Sequence, residues 1–372
     1  MTIPEQMAAV LLIGHGGLDK LDYREDVPVP RPAGGEVLIR VGAAAVNNTD
    51  INTRTGWYSK SVVEGTTPEG GAGGFEAAAT GDAGWSGAAL DLPRIQGADV
   101  CGTIVAAGEG VDVGRVGERV LIEPCLRRPD SSYADEIRYF GSECDGGFAQ
   151  YTVAPAVHAH AIKSDMSNAE LASFPCSYST AENMLTRAGL SVGETVLITG
   201  ASGGVGSAAV QLAGRRGAKI IAVAGKSKAD NVQAAGADRV IPRGDDLLKE
   251  LGGESVDVVV DVVAGPQWPQ LLGVLKRGGR YATAGAIAGP FVELDIRTLY
   301  LKDLSLFGCT VLEPAVFPNL LGYIENGEIR PLVSKTYPLK QIAAAQTDFL
   351  AKKFTGKLVL IPPQDRSELV SS

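Results

Sequence analysis

A glycine-rich run between an apolar stretch and a helical pattern is the strongest chemical signal in the sequence. The segment TVLITGASGGVGSAAVQLA, residues 195–213, has the pattern of a strand, a tight turn and a helix. Glycines let the backbone approach a pyrophosphate closely, and the free N–H groups at the helix start attract the anion. The segment therefore predicts a dinucleotide-binding site. The residues expected to contact the dinucleotide are Ser202, Gly203, Gly204, Val205 and Gly206.

The residues that follow the next predicted strand indicate which dinucleotide is preferred. KIIAVA, residues 219–224, is followed by Gly225, Lys226, Ser227 and Lys228. A site that prefers NAD usually has an acidic residue here, which binds the ribose 2′-hydroxyl. Two lysines and a serine suit a 2′-phosphate instead, so the sequence favours NADP over NAD. The alternative is that both lysines are only solvated and that Asp230 serves NAD.

A parallel sheet is needed to position these residues. The apolar runs of this part of the chain alternate with helix-compatible segments, and they are residues 195–200, 219–224, 256–263 and 279–285. Alternating strands and helices with fully apolar strands are typical of a parallel sheet that is covered on both faces. The middle of the chain is therefore predicted to be an α/β, doubly wound domain.

The two ends of the chain have a different pattern. Short β-like runs separated by glycine and proline occur at residues 36–46, 99–107, 119–123 and 148–153, and KLVLI at 357–361 also resembles a strand. Such dense non-helical signals predict an irregular β-rich module. We therefore expect a β-rich domain formed by both ends of the chain, with the doubly wound domain inserted between them.

Composition excludes several functional classes. The 372 residues carry 34 Lys+Arg against 43 Asp+Glu, a net charge of −9, which disfavours nucleic acid and anionic membranes as partners. No apolar run approaches the roughly 20 residues of a membrane helix, and the N-terminus lacks the basic start of a signal peptide. The five cysteines are scattered without CxxC spacing. A cytoplasmic protein with reduced thiols is expected.

The segment 61–90 differs from the rest of the chain because it contains eight glycines and seven alanines. It has little apolar surface to bury, so we expect a mobile loop. One interpretation is a tolerated surface insertion. The other is a flap over the active site, with Trp57, Tyr58 and Trp85 as substrate walls.

The whole pattern resembles one enzyme family. The glycine-rich motif is joined by VNNTDINTRTGWY, FPCSYSTAENML, FTGKLVL and the run 96–120, and with these the sequence resembles the medium-chain dehydrogenase/reductase superfamily over nearly its full length. The resemblance implies a GroES-like catalytic domain, residues 1–160 and 314–372, and a Rossmann domain, residues 161–313. It also implies hydride transfer between a nicotinamide and a carbonyl or an activated alkene.

Zinc divides this family, and the relevant positions can be compared one by one. The alcohol-dehydrogenase branch has a cysteine where this chain has Asn47, a His–Glu pair at Ala98 and Asp99, and a third ligand near Cys176. A catalytic zinc needs three protein ligands, and Asn and Ala do not supply them. The four closely spaced cysteines of a structural zinc lobe are also absent from the sequence. We therefore expect neither zinc site and no metal ligands.

The remaining pattern is similar to the zinc-free quinone oxidoreductase and enoyl reductase branch. That branch has Asn-x-x-Asp followed by Gly-aromatic-Tyr, which fits Asn47, Asp50 and residues 56–58. The resemblance implies that Asn47 and Tyr58 face the nicotinamide and the substrate. Without a metal, hydrogen-bond donors must polarise the substrate oxygen, and Asn47, Thr49 and Tyr58 are the candidates. Tyr58, Thr49 or a water then delivers the proton. Alternatively, Asp50 only anchors a turn and Tyr58 is a wall residue.

Further site residues follow from the same resemblance. Thr180 is expected to touch the cofactor, although Ser179 and Thr180 equally suit helix capping. The counterpart of Ala284 and Gly285 lies along the nicotinamide, so both are expected to contact the cofactor through their backbone. The two histidines near the expected domain junction, at positions 158 and 160, are placed at the surface.

The combined prediction is an NADPH-dependent reductase that transfers hydride to a quinone, an enone or a related activated carbonyl compound without catalytic zinc. The alternatives are a zinc-type alcohol dehydrogenase with atypical ligands and a non-catalytic NADPH-binding protein. The partners expected are a small-molecule substrate and a second copy of the chain, because family members commonly pair the sheet edge that corresponds to residues 303–312. Pocket shape depends on how 59–96 folds, so the sequence does not identify the substrate.

Overall fold

The computed structural model describes residues 3–127 and 137–364. The chain divides into two compact units. The first comprises Met1–Val62, Pro68–Cys176 and Pro331–Ser372, and the second comprises Val63–Thr67 and Ser177–Arg330.

The strands of the described residues alternate with helices mainly in the second half of the chain. In chain order they are β1 (Gln6–Leu12), β2 (Leu21–Pro28), β3 (Glu36–Ala45), β4 (Arg94–Ile95), β5 (Cys101–Ala107), β6 (Arg119–Ile122), β7 (Cys125–Leu126), β8 (Arg138–Tyr139), β9 (Tyr151–Pro155), β10 (Ala159–Ala161), β11 (Thr195–Ile198), β12 (Lys219–Ala224), β13 (Arg239–Pro242), β14 (Val256–Asp261), β15 (Leu275–Thr283), β16 (Ser305–Gly308), β17 (Val333–Pro338) and β18 (Lys357–Ile361).

The α-helices are short, and among the described residues none has both the length and the apolar composition to cross a membrane. They are α1 (Asn48–Thr55), α2 (Pro68–Gly73), α3 (Asn168–Leu171), α4 (Pro175–Arg187), α5 (Gly204–Arg215), α6 (Ala229–Ala234), α7 (Leu247–Leu251), α8 (Trp268–Val274), α9 (Ile296–Leu301), α10 (Val316–Glu325) and α11 (Ile342–Leu350).

The first unit is built around β3, the central strand of its larger sheet. The strand order is β10-β6-β5-β3-β18-β17, and β9 also pairs with β3. β3 pairs antiparallel with β5, β9 and β18, and its residues Val37, Ile39 and Val41 are fully buried. Because β18 comes from the C-terminal end of the chain, both ends form one sheet. This confirms the GroES-like, β-rich domain.

The second unit contains a six-stranded sheet in the order β13-β12-β11-β14-β15-β16. Every neighbouring pair in it is parallel. The order reverses between β11 and β14, and the apolar residues of these two strands are buried, as expected for strands covered on both faces. This is the doubly wound, Rossmann-type arrangement, in which ligands bind beyond the carboxyl ends of the strands at the reversal point.

The division into units falls at 176/177 and 330/331, whereas the predicted domain boundaries are 160/161 and 313/314. On the N-terminal side, Ile162 donates its backbone N–H to Arg119 O at 2.9 Å, which ties the residues after β10 to the first unit. On the C-terminal side, Tyr178 Oη donates to Arg330 O at 3.2 Å within the second unit. These contacts describe the two compact units, and the domain boundaries at 160/161 and 313/314 stay a prediction.

The glycine-rich segment 61–90 is more ordered than the sequence suggests. It contains α2 and a 3₁₀ turn at Thr80–Asp82. The buried guanidinium of Arg54 donates to Gly71 O at 2.5 Å, and the ring of Trp85 stacks on Tyr139 with 4.5 Å between centroids. The expected loop thus contains defined local structure, because small side chains allow close backbone packing that composition alone does not reveal, and its mobility stays a prediction. Trp85 also packs on Tyr139 instead of joining the aromatic pair at 57–58.

Candidate active site and nucleotide-binding loop

The residues at the start of α1 form a helix cap. The backbone N–H of Asn47 donates to Asp50 Oδ2 at 2.7 Å, which is the carboxylate half of a capping box. Asp50 is buried, and this burial raises the pKa of its carboxyl to about 7, against the effect of the Asn47 N–H bond. Asp50 thus anchors the turn, as one of the sequence interpretations holds.

A buried polar network surrounds the Asn47 side chain. Its amide Nδ2 donates to Asp99 Oδ2 at 2.8 Å and to Ala45 O at 3.3 Å. The ammonium of Lys357, at the start of β18, donates to Asn47 Oδ1 at 2.5 Å and to Asp99 Oδ2 at 2.8 Å. Asn47, Asp99 and Lys357 are 5%, 0% and 3% exposed. We call these three residues the Lys357 network.

Two members of the Lys357 network, Asn47 and Asp99, lie at positions where the resemblance implies zinc-site residues in the alcohol-dehydrogenase branch. The second oxygen of Asp99, Oδ1, accepts the backbone N–H of Cys176 at 2.6 Å. Both carboxylate oxygens therefore have protein donors, and a cation of the chain already balances the buried charge. A catalytic zinc needs three ligand side chains with free lone pairs. Of the positions that the resemblance assigns to the zinc site, Ala98 has no ligand atom and the Asn47 amide is bonded to the protein, so the residues present do not fit a zinc ion.

Two hydroxyl groups meet beside this network. Tyr58 Oη donates to Thr49 Oγ1 at 3.0 Å, and Trp57 packs edge-on against the Tyr58 ring with 5.8 Å between centroids. Burial raises the pKa of the Tyr58 phenol above its usual value, so the phenol keeps its proton near neutral pH. The fold thus brings Thr49 and Tyr58 together as a donor pair. Both amide hydrogens of Asn47, by contrast, point at protein acceptors.

The glycine-rich loop follows β11 at the carboxyl edge of the parallel sheet. Gly200 has φ of +58°, and Gly203 is the exposed N-cap of α5, where no side chain caps the helix. A Cβ at Gly206 would lie 2.2 Å from Gly200 O, so only glycine permits the close approach of α5 to the loop. Ser202, Gly204 and Val205 are half-buried. These features fit the pyrophosphate cradle of a dinucleotide.

Other predicted cofactor contacts lie at the same edge of the sheet. Ala284 and Gly285 directly follow β15, and both are half-buried. The Ala284 N–H donates to Asp261 O at 3.4 Å, and the Asp261 carboxylate accepts from Thr199 Oγ1 at 2.5 Å and Tyr281 Oη at 2.6 Å. Asp261 is fully buried, so its hydrogen bonds fix the ends of β11, β14 and β15 relative to one another. Asp261 was not predicted from the sequence, where it is only one residue of an apolar run.

The lysines that are expected to discriminate NADP from NAD lie just beyond β12. Lys226 is exposed and Lys228 is half-buried, both in the 3₁₀ turn Lys226–Lys228. Burial and the positive charge of Arg243 lower the pKa of Lys228 below its usual value. The N–H of Arg243, after β13, donates to Ala224 O at 2.7 Å. Arg243 is thus a third cation here, and sequence reasoning missed it because it is 15 residues beyond Lys228.

Thr180 is half-buried in the second turn of α4, while Ser179 is fully buried. The capping alternative is wrong for both residues, because α4 already begins at Pro175. Ser167, which caps α3, performs that role for the preceding helix, and its Oγ accepts the Glu170 N–H at 3.3 Å.

The two histidines predicted at the surface are not there. His158 is 8% exposed, and the His160 side chain is 20% exposed. Both contact Glu123 Oε2, His158 through Nδ1 at 3.1 Å and His160 through Nε2 at 3.2 Å. These contacts hold the pKa of Glu123 at about 2 against its burial, and they raise the pKa of His158. The prediction was wrong because strand pairing buries this face.

Known proteins share this architecture. Residues 33–164 match the family model of the alcohol dehydrogenase GroES-like domain, and residues 204–326 match that of the zinc-binding dehydrogenase. A putative alcohol dehydrogenase from Sinorhizobium meliloti 1021 is 49% identical in sequence, with a TM-score of 0.86 over 97% of this chain and 98% of that chain.

Curated relatives are similar over nearly their whole length. Quinone oxidoreductase from Homo sapiens is 27% identical, over 95% of this chain and 98% of its own. Acryloyl-coenzyme A reductase from Metallosphaera sedula is 29% identical, over 95% of this chain and 99% of its own.

The Rossmann-type sheet, its glycine loop and the GroES-like unit define an oxidoreductase that uses a nicotinamide dinucleotide. The chain belongs to the medium-chain dehydrogenase/reductase superfamily and lies in its quinone oxidoreductase-like branch. It is an NAD(P)-dependent oxidoreductase.

Proposed function

We propose that this enzyme is an NADPH-preferring reductase that transfers hydride to a quinone, an enone or a related activated carbonyl compound without catalytic zinc. The observation that supports this most directly is the Lys357 ammonium, 2.8 Å from Asp99 and 2.5 Å from Asn47. A cation of the chain contacts Asn47 and Asp99, which the resemblance aligns with the zinc site of the alcohol-dehydrogenase branch. The substrate oxygen must then be polarised by hydrogen-bond donors.

The nucleotide-binding loop would hold the pyrophosphate of the cofactor, which when bound supplies the hydride. The first N–H groups of α5, after its N-cap Gly203, would face this anion, and the absence of a Cβ at Gly206 lets helix and loop meet. Lys226, Lys228 and Arg243 support a 2′-phosphate, since three cations near one strand end favour the additional negative charge of NADP.

The donor pair Thr49 and Tyr58 would polarise the substrate oxygen. Because Tyr58 Oη donates to Thr49 Oγ1 at 3.0 Å, the hydroxyl hydrogen of Thr49 is directed elsewhere and can reach a substrate oxygen. When the substrate accepts the hydride that the bound cofactor would supply, negative charge would develop on that oxygen. Thr49 would pass its proton to the oxygen and take up the Tyr58 phenol proton, and solvent water would reprotonate Tyr58. Asn47 would act as a positioning residue, because both of its amide hydrogens bind Ala45 O and Asp99 and thereby fix the start of α1.

A homodimer is the assembly we propose. β16 is the edge strand of the six-stranded sheet, and the outward-facing Leu306 is 38% exposed. Nearby α9 carries Ile296, Tyr300 and Leu301 at 56% to 59% exposure. An unpaired edge strand beside apolar side chains favours pairing with a second copy. Light scattering should give twice the chain mass for the native protein and the chain mass for Leu306→Lys.

A cofactor-oxidation screen tests the reaction class. Native enzyme is mixed with NADPH or NADH and with quinones, enones, saturated ketones and aldehydes. We expect turnover with the quinone and enone sets and a lower KM for NADPH. Turnover confined to alcohols and aldehydes would contradict the proposal, and tight NADPH binding without any turnover would indicate a non-catalytic binding protein.

A chelation experiment separates metal content from activity. The enzyme is stripped of metal by a strong chelator, its metal content is measured, and the quinone or enone turnover is repeated. We expect full turnover after stripping. Loss of turnover that zinc restores, while circular dichroism shows that the stripped protein stays folded, would show a zinc-dependent alcohol dehydrogenase with atypical ligands.

A further inference from the structure

The cluster of Glu123, His158 and His160 is created by strand register. β10 pairs antiparallel with β6, with Ala159 opposite Ile122, and the Glu123 N–H donates to His158 O at 2.9 Å. Residues two apart on an extended chain point to the same face. His160 lies in β10, whereas His158 ends the 3₁₀ turn Ala156–His158, and both imidazoles contact the Glu123 carboxylate. Ala159, between them, and Ile122 are buried in the core.

The spacing of the three side chains is that of metal ligands. Glu123 Oε2 lies 3.1 Å from His158 Nδ1 and 3.2 Å from His160 Nε2. One ligand atom from each residue lies within 4.8 Å of the other two. Ligands about 2.0–2.1 Å from a tetrahedral zinc are separated by roughly 3.3–3.4 Å, so a small local shift places an ion between them.

Neighbouring groups already support ligation. His158 Nε2 lies 2.9 Å from Arg127 O and 3.0 Å from the Arg127 backbone N, so the ring can donate to the carbonyl or accept from the N–H. A metal ion on Nδ1 would select the tautomer in which Nε2–H donates to Arg127 O. A metal-binding histidine typically has its second nitrogen held in this way. The Arg127 guanidinium lies 3.8 Å from the other carboxylate oxygen, Oε1. An ion at Oε2 would replace the two imidazole contacts of that oxygen while Arg127 still faces Oε1.

We propose that Glu123 Oε2, His158 Nδ1 and His160 Nε2 bind one divalent transition-metal ion, preferably zinc, with water as the fourth ligand. Two imidazoles and one carboxylate form a donor set that suits zinc. The site shares no residue with the Lys357 network, and the ion would join the ends of β6 and β10. Its role is therefore to stabilise the first unit, and hydride transfer does not require it.

Cobalt titration of the chelated full-length protein tests this site. We expect one Co²⁺ per chain, visible ligand-field bands of a four-coordinate ion and no thiolate-to-cobalt charge transfer, since all three ligands are N or O. Zinc should displace cobalt and raise the melting temperature by a few degrees. Glu123→Gln and His160→Asn should each lose binding at least tenfold.

His15→Asn is the matched control, because His15 is the remaining histidine of the chain and contacts Thr53 O at 2.8 Å instead. It should bind cobalt as the native protein does. Each variant is first checked for NADPH binding as a measure of folding. If Glu123→Gln unfolds, the result for His160→Asn, which changes the more exposed ligand, decides the test. Failure of the native protein to bind, unchanged binding by a folded His160→Asn, or a thiolate charge-transfer band would overturn the proposal.

Discussion

The nucleotide-binding loop and the Lys357 network are built in opposite ways. The loop is one continuous stretch, residues 199–206, and it works through its backbone. The network joins side chains from positions 47, 99 and 357, and it works through buried charge. A backbone cradle depends on local conformation and on the absence of side chains, whereas a buried ion pair depends on three distant segments meeting. The five predictions below start from this contrast.

The largest effect is expected from Lys357→Met. This change leaves Asp99, which is 0% exposed, without its cation, and breaking a buried pair typically costs about 3–5 kcal/mol of unfolding free energy. Urea unfolding measures the change. The exposed Lys353→Met is the control and should stay within about 0.5 kcal/mol of the native protein.

A double variant sharpens the same test. Lys357→Met with Asp99→Asn removes the unpaired charge, so it should recover part of the loss seen with Lys357→Met alone. NADPH affinity should change little in both variants, because the loop does not depend on the network. A double variant as unstable as the single one would show that packing, not charge, is lost.

Tyr58→Phe should affect turnover more than binding. Removing the phenol takes away the proton source that serves Thr49, and general acid groups contribute about 10²-fold or more to the rate. Steady-state kinetics should show kcat lower by roughly 10²-fold with NADPH affinity unchanged. A variant with native kcat would indicate that Tyr58 is only a wall of the pocket.

The glycines of the loop provide a matched pair. A Cβ at Gly206 would lie 2.2 Å from a carbonyl oxygen, whereas a Cβ at Gly203 would have one neighbour at 3.4 Å. Gly206→Ala should therefore lose about 1–3 kcal/mol of stability as well as cofactor binding. Gly203→Ala should keep its stability and lose only affinity. Thermal unfolding and fluorescence titration separate the two, and equal stability losses would contradict this assignment.

The smallest effect concerns cofactor preference. Single replacement of Lys226, Lys228 or Arg243 with alanine should weaken NADPH binding about tenfold and leave NADH binding unchanged. The expected loss corresponds to one charge-assisted hydrogen bond of about 1.5 kcal/mol. The exposed Lys249→Ala is the control for net charge. Equal effects on both cofactors would mean that these cations do not bind the 2′-phosphate and that NAD fits as well.

The features that could be predicted from the sequence are local ones like the nucleotide-binding loop, and those that could not are assembled from distant segments like the Lys357 network. The fold, the glycine loop and the lysines after β12 are all encoded in short windows, so periodicity and spacing identify them. Arg243, Asp261 and the Glu123 cluster carry no local signal, because strand pairing alone brings them to their partners. The local structure within 61–90 was not predicted for the same reason: it depends on contacts such as that of Arg54 with Gly71 O.

The sequence by itself determined the two-part α/β architecture and the dinucleotide loop. Apolar periodicity dictates which strands are buried, and glycine alone permits a close backbone approach, so both are properties of contiguous residues. Only the tertiary structure decided which acceptors the Asn47 amide hydrogens bind, Ala45 O and the Asp99 carboxylate. It also decided that the Lys357 ammonium balances the charge of Asp99 and that His158 and His160 face Glu123. Charge compensation and ligand geometry depend on distances between remote segments, and these exist only once the chain has folded.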